Sequence, residues 1–286
     1  MKSPLIIISA PHSGASLLSG ILHRAGIFMG EDQKEGTSQF FSSVNCWLFF
    51  QAGATWDNPY NFRFIETDFR EETGRAVKRQ LKGRSFGKYL GKLHRKTGSY
   101  KKIDFDWGWY APLNAYTWEI WKTFFEDAVI IHFLRNPVDV AAGMKREAEA
   151  GKMQKGLFSG IKRRGIENRL QYTQLYGLSQ RVLNLYEGFK LWQEYINRIG
   201  EIEDNHSGPF ITIRYENLLQ EPERSLHALF DKLNFRLPAG IIDNAILQID
   251  RSQAWAFAQN KSLMEFYHTI KDHSMVVEQG YHKMNR

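Results

Sequence analysis

Cysteine is almost missing from this chain: Cys46 is the only one in 286 residues. A single thiol excludes an internal disulfide and any thiolate metal cluster. The nine histidines show no HExxH or comparable ligand spacing, so no metal dependence is expected. No apolar run approaches the ~20 residues of a membrane-spanning helix. The opening run Leu5-Ile6-Ile7-Ile8 is too short for a signal-peptide core, and a cytoplasmic chain is expected. Internal repeats, low-complexity tracts and Gly/Pro/Ser-rich linkers are also missing, which predicts one domain over residues 1–286.

What is present has the balance of an ordinary globular protein, with 43% hydrophobic and 24% charged residues. The formal charge is +7, and its distribution matters more than its size. Arg70 to Lys102 holds twelve Lys/Arg against two Glu, and Lys145 to Leu170 holds eight against three. The two stretches carry +10 and +5, so the remainder must sum to −8. A basic surface of this kind suits an anionic partner, or it is simply a solvated helix face. No nucleic-acid motif accompanies it, and a nucleic-acid role is disfavoured.

The chain alternates strand and helix. Residues 4–10 form a continuous β-branched run, the pattern of a strand buried on both faces. Leu17, Leu18, Ile21, Leu22 and Ala25 then fall on one helical face that stops at Gly26. A helix is predicted over 38–53, a short strand over 101–105 and an aromatic-rich helix over 113–125. A second buried strand is predicted over 128–134, leading into a helix entered at Pro137. Residues 151–170, rich in Gly and Lys, predict a mobile loop. Further on, a helix over 179–199, a strand over 210–214 and a helix entered at Pro222 complete the pattern. Strands alternating with helices predict a mostly parallel sheet covered on both faces.

Two places could hold phosphate. The segment Ser9-Ala10-Pro11-His12-Ser13-Gly14-Ala15-Ser16 joins the first strand to the first helix, where backbone N–H groups and the helix dipole favour an anion. It lacks the GxxxxGK[ST] spacing and its Lys, which disfavours ATP or GTP chemistry. It is equally readable as a tight turn without a ligand. The second place is Arg135, at the end of IIHFLRNPVDVAAGMKR (130–146), where a strand delivers a guanidinium to the same sheet edge. The alternative there is an ion pair with Asp139 on the following helix. The two places are expected to face each other across a gap.

At these residues the sequence resembles the PAPS-dependent sulfotransferase family, in its bacterial branch. Residues 5–24 are similar to the family's 5′-phosphosulfate loop, (K/R)-S-G-T-(S/T), and 130–144 to its 3′-phosphate motif, R-(N/D/H)-P-x-D-V-A. ITIRYENLLQEPERSLHALFDKLNF (211–235) resembles the R-Y-E-D-L…P block, and QAGATWDNP (51–59), WGW (107–109) and GFKLWQEY (188–195) resemble the bacterial branch. The resemblance implies a P-loop-NTPase-like three-layer α/β fold, with a central, mostly parallel sheet of about five strands flanked by helices. It implies that His12, Ser13, Gly14, Ala15, Ser16 and Leu17 hold the 5′-phosphosulfate, that Arg135 and Gly143 mark the 3′-phosphate, and that Tyr215 lies near the adenine. The implied reaction is in-line sulfuryl transfer from PAPS to a hydroxyl or amine of a saccharide or small-molecule acceptor, releasing PAP without a metal.

The departures from the family pattern fall on the chemistry. His12 replaces the basic residue before Ser-Gly, Ala15 a Thr and Gly143 a Ser; Tyr110, Ala111 and Leu113 replace the Lys, Asp and Arg of W-G-W-K-D-P-R. A protonated His12 imidazole could still serve beside an anion. Arg63 or the 70–102 stretch could supply missing charge. Asp106, placed at the end of the expected 101–105 strand, is the candidate general base, with Asp32 and Glu35 as candidate borders of an acceptor pocket. His23, at helical spacing, reads as exposed or packed rather than catalytic, and His132, within the apolar strand, as structural. Trp107, Trp109, Tyr110 and Trp118 read as core or as an aromatic rim for an acceptor. Catalytic degeneracy, with the fold kept as a binding module, is the competing reading.

Overall fold

The computed structural model describes residues 2–64, 67–153, 179–237, 240–247 and 249–284. The expected loop over 151–170 lies outside them, apart from 151–153, which end a helix.

The first strand, β1 (Leu5–Ile8), is buried along its whole length, as its unbroken aliphatic run requires. A loop then leads into α1 (Ala15–Arg24), whose apolar face packs on one side of the sheet. The short antiparallel pair β2 (Gln33–Lys34) and β3 (Thr37–Ser38) follows, and Ser38 caps α2 (Gln39–Gln51) by accepting from the Phe41 N–H. Next come α3 (Thr67–Gln80), α4 (Arg84–His94), β4 (Gly108–Tyr110) and α5 (Asn114–Trp121).

The strand expected over 101–105 is therefore misplaced. Tyr100–Lys102 make a 3-10 turn, and the strand is the aromatic triplet at 108–110. β5 (Val129–Leu134) runs into α6 (Pro137–Met153), and α7 (Leu185–Asn205) begins at its Asn184 cap, six residues later than expected. β6 (Phe210–Arg214), α8 (Tyr215–Gln220) and α9 (Pro222–Lys232) follow, and the last described helices include α10 (Ser274–Glu278).

The strands order as β4-β1-β5-β6, all parallel, giving four strands among the described residues where about five were expected. Leu5 aligns with Gly108 and Val129, and Leu134 with Arg214. One apolar cluster under α1, α8 and α9 covers one face; a larger, aromatic cluster covers the other. In that second cluster Trp107, Trp109, Trp118 and Trp121 are buried, and Phe41 stacks on Trp109 at 3.8 Å between ring centroids. These tryptophans are core rather than rim. A buried polar knot ties the layers: Asn45 Nδ2 donates to Asn114 Oδ1, Asn114 Nδ2 to the Ile7 carbonyl, and Trp121 Nε1 to Asn45 Oδ1.

Candidate functional site

Parallel strands bring the loops after β1, β5 and β6 to one edge, the edge where open α/β sheets bind ligands. The loop after β1 turns through two left-handed residues, His12 (φ 60°) and Gly14 (φ 80°). Gly14 is the N-cap of α1 and offers no side chain to the first-turn N–H groups. It is also required sterically, because a Cβ there would sit 2.6 Å from Tyr215 Cε2. Ala15, Ser16 and Leu17 form the first turn. Ser13 Oγ is buried without a hydrogen-bond partner among the described residues, and so is the Nε of Arg135. Open helix N–H groups, a buried hydroxyl and a buried guanidinium N–H at one edge are the donor set an anion takes.

Arg135 ends the β5 run and is turned by the Asn136-Pro137 entry to α6, where Asn136 Oδ1 accepts from the Asp139 N–H at 2.8 Å. Its guanidinium lies 4.1 Å from the centroid of the Tyr215 ring, and Nη1 donates to the His12 carbonyl at 3.3 Å. Arg135 and the loop thus share one edge, as expected. The expected gap between them is not there: the two touch, with Tyr215 packed against both Gly14 and Arg135. Burial raises the Tyr215 pKa, against the opposing pull of Arg135.

The ion pair with Asp139, weighed as an alternative partner for Arg135, is present but long at 3.7 Å. Asp139 is engaged elsewhere, accepting from Asn136 Nδ2 and from the Phe257 N–H, each at 2.8 Å. Glu216, on α8, accepts from the Asn136 N–H and Nδ2 through Oε1 and from the Tyr281 hydroxyl through Oε2. Burial raises its pKa. Glu216 escaped the sequence reading although it lies inside the quoted 211–235 block; a carboxylate beside Tyr215 after a strand was the available signal.

One face of α6 runs beneath the loop. Asp139, Gly143 and Glu147 recur at four-residue spacing; Asp139 faces Arg135 while the other two meet His12. A Cβ on Gly143 would lie 3.0 Å from the His12 Cβ, and His12 Nε2 is 3.0 Å from Glu147 Oε2. Tyr110, at the end of β4, hydrogen-bonds Ser9 at the start of the loop, and burial raises its pKa. This puts a hydroxyl where the family pattern has an ammonium.

Asp106 is not part of this edge. It precedes β4 and pairs with Lys2 Nζ at 2.6 Å, at the N-terminal side of the sheet. Some six residues of extended chain separate that side from the loop, roughly 20 Å. The expected base is thus on the wrong edge, because its strand begins two residues after it instead of ending before it. His23 accepts from the Met29 N–H through Nδ1, and His132 is buried in β5 with its pKa lowered to about 3 by burial and the Arg214 charge. His132 is structural, as expected, and His23 is partly buried with its Nδ1 engaged. Among the described residues there is no His/Cys/Asp/Glu group that could hold a metal ion, and no helix is long and apolar enough to cross a membrane.

Comparison with known families matches residues 4–239 to the sulfotransferase family. Among solved structures, the chain is similar to a sulfotransferase domain from the curacin biosynthetic pathway, at 15% identity and a TM-score of 0.50, covering 94% of this chain and 97% of that one. It is also similar to a sulfotransferase from Alicyclobacillus acidocaldarius, at 17% identity and a TM-score of 0.48, covering 99% and 97%. Comparison with curated proteins finds no match. At such identities the first likeness speaks for the fold alone.

Proposed function

The chain belongs to the sulfotransferase family, and from that premise we propose that it moves a sulfuryl group from PAPS to a hydroxyl or amine of a small-molecule or saccharide acceptor, releasing PAP. The observation that carries the proposal is the pairing of an uncapped α1 N-terminus, next to the buried Ser13 hydroxyl, with Arg135 at the same sheet edge. In this reading His12, Ser13, Gly14, Ala15, Ser16 and Leu17 surround the 5′-phosphosulfate, which the Gly14, Ala15 and Ser16 N–H groups and the serine hydroxyls receive, while the Leu17 N–H stays on the Gly14 carbonyl. Arg135 turns from the His12 carbonyl to the 3′-phosphate, with Gly143 below, and Tyr215 borders the adenine.

The chemistry is a displacement at sulfur: the bond to the bridging phosphate oxygen breaks, the bond to the acceptor oxygen or nitrogen forms, and the acceptor proton leaves to solvent or a base. The protein's work is positioning and charge stabilisation. The His12 imidazole stands where negative charge develops on the leaving phosphate oxygen, and Tyr110 adds a hydroxyl through the Ser9 side of the loop. No metal is called on. The chain is read as one cytoplasmic domain.

A second reading, a binding module without turnover, draws on a specific contact. Glu147 holds His12 at 3.0 Å, so the one imidazole at the expected leaving-group position already faces a carboxylate. One experiment separates the two. Sulfate transfer from labelled PAPS is measured on saccharide, phenol and amine acceptors, alongside PAP calorimetry. Transfer that falls at least tenfold in His12→Ala, the size of one lost charged hydrogen bond of about 1.5–3 kcal/mol, supports the enzyme. PAP binding with no transfer on any acceptor supports the module, and absence of both defeats either.

A further inference from the structure

A cavity of about 400 Å³ opens between α2, α3 and α4. Phe40, Val44 and Val77 form a buried apolar wall and Trp47 a partly buried one. The half-buried Asp32 also lines it, and the exposed Lys88 lies at its rim. Lys88 is exposed and has no ion-pair partner among the described residues, whereas Asp32 is already spoken for, accepting from the Ser38 hydroxyl and the Phe40 N–H. Lys88 is thus the one basic group among the residues that line the cavity, and it is free to meet an anion where the hydrogen-bonded Asp32 is not.

Two connections tie the cavity to the loop after β1. Gly36, at the tip of the β2–β3 pair, meets the Ser16 carbonyl so closely that a Cβ would lie 2.2 Å from it. Asp32 is four residues from that tip, within about 14 Å of chain. β3 also packs beside β4, whose Tyr110 bonds Ser9.

Resting on the sulfuryl-transfer reading, we propose that this cavity takes the acceptor, and that the acceptor is an apolar, ring-bearing alcohol or phenol carrying an anionic group that Lys88 receives. The wall of Phe40, Val44, Trp47 and Val77 buries the ring body. Lys88 selects for an anion at the rim and leaves the hydroxyl end directed inward along the wall shared with Asp32 and the β2–β3 pair. In the reaction the phenolic or alcoholic O–H loses its proton to solvent, its oxygen bonds the sulfur, and PAP departs. Of the twelve basic residues between Arg70 and Lys102, Lys88 is the one that lines this cavity.

The test uses the full chain and calorimetry with 6-hydroxy-2-naphthoate and 2-naphthol, without donor. The carboxylate probe is expected to bind at least fivefold more tightly than 2-naphthol. Lys88→Glu is expected to erase that preference, and Ser43→Trp, which fills the cavity from its exposed rim, to weaken both probes at least tenfold at unchanged melting temperature. With PAPS present, Lys88→Glu raises KM for the hydroxynaphthoate more than it lowers kcat. Equal binding of the two probes, no binding of either, or indifference to Ser43→Trp overturns the proposal. PAP calorimetry on the same preparation keeps the outcomes distinct: PAP binding without probe binding removes the cavity assignment alone, whereas probe binding without PAP binding removes the donor reading and with it the acceptor role.

Discussion

The Cβ of His12 and the missing Cβ of Gly143 occupy one space: a side chain at 143 would begin 3.0 Å from His12 Cβ and 3.1 Å from its Cγ and Nδ1. The two departures from the family pattern are therefore a single exchange. A branched imidazole at the loop is accommodated by removing a side chain from the helix beneath it. Gly143→Ser is expected to cost about 1–3 kcal/mol through overpacking. In a His12→Gly background, which also suits the left-handed φ at that position, the same change costs far less. A double-mutant cycle read by urea denaturation checks this; additive costs, with coupling below about 0.5 kcal/mol, would refute the exchange.

Glu147 reaches the same imidazole from one turn further along α6. Its side chain is half exposed, so the pair holds no more than about 1 kcal/mol. Its negative charge nonetheless opposes an incoming phosphosulfate. Glu147→Gln is expected to tighten PAP about two- to fivefold by calorimetry at low salt, with the gain shrinking at high salt. Weaker PAP binding in this variant would show that Glu147 assists rather than competes.

Gly14 is fixed by its φ of 80° and by the Tyr215 ring. Gly14→Ala meets both constraints at once and is expected to abolish detectable PAP binding. The melting point should fall by about 2–4 °C for each kcal/mol of strain in a chain of this size. Retained PAP affinity would mean that the loop does not hold the donor.

Glu216 gives a pH signature. Burial raises its pKa, so the folded chain holds this proton more tightly than the unfolded chain. Stability from this group is present below the ordinary carboxylate range and is lost as pH rises through the raised value. Glu216→Gln keeps an acceptor for Asn136 and removes the titration, so the part of the wild-type melting-temperature profile that falls with rising pH, over about pH 4 to 7.5, should disappear on comparison of the two proteins. The half-buried Asp32, also raised, and His132, lowered and opposite in sign, leave a residual slope. Glu216→Ala strands buried donors and should cost about 1–3 kcal/mol for each. An unchanged slope in Glu216→Gln would assign the pH dependence elsewhere.

Much of this was written locally. β1 and β5 are largely unbroken apolar runs, β6 alternates apolar and polar residues, and α6 and α9 open at prolines, so their positions followed from the chain itself. Arg135 could be placed because it directly ends such a run. β4 was missed because three residues, Gly-Trp-Tyr, are too few for a period, and that small shift carried Asp106 to the wrong edge. The His12–Glu147 and Glu216–Tyr281 contacts join residues 135 and 65 apart. They depend on how layers stack, which no local pattern encodes.

The strand order has a consequence for how the chain is made. β1 is an inner strand, and Leu5 pairs with Gly108 on one side and Val129 on the other. While the polypeptide emerges from the ribosome, its first strand waits for both neighbours, and every intervening residue adds to the entropy of closing that loop. The turn at His12–Gly14 is thus synthesised before β5 and before the Tyr215 that follows β6, and takes its shape only once both have been added.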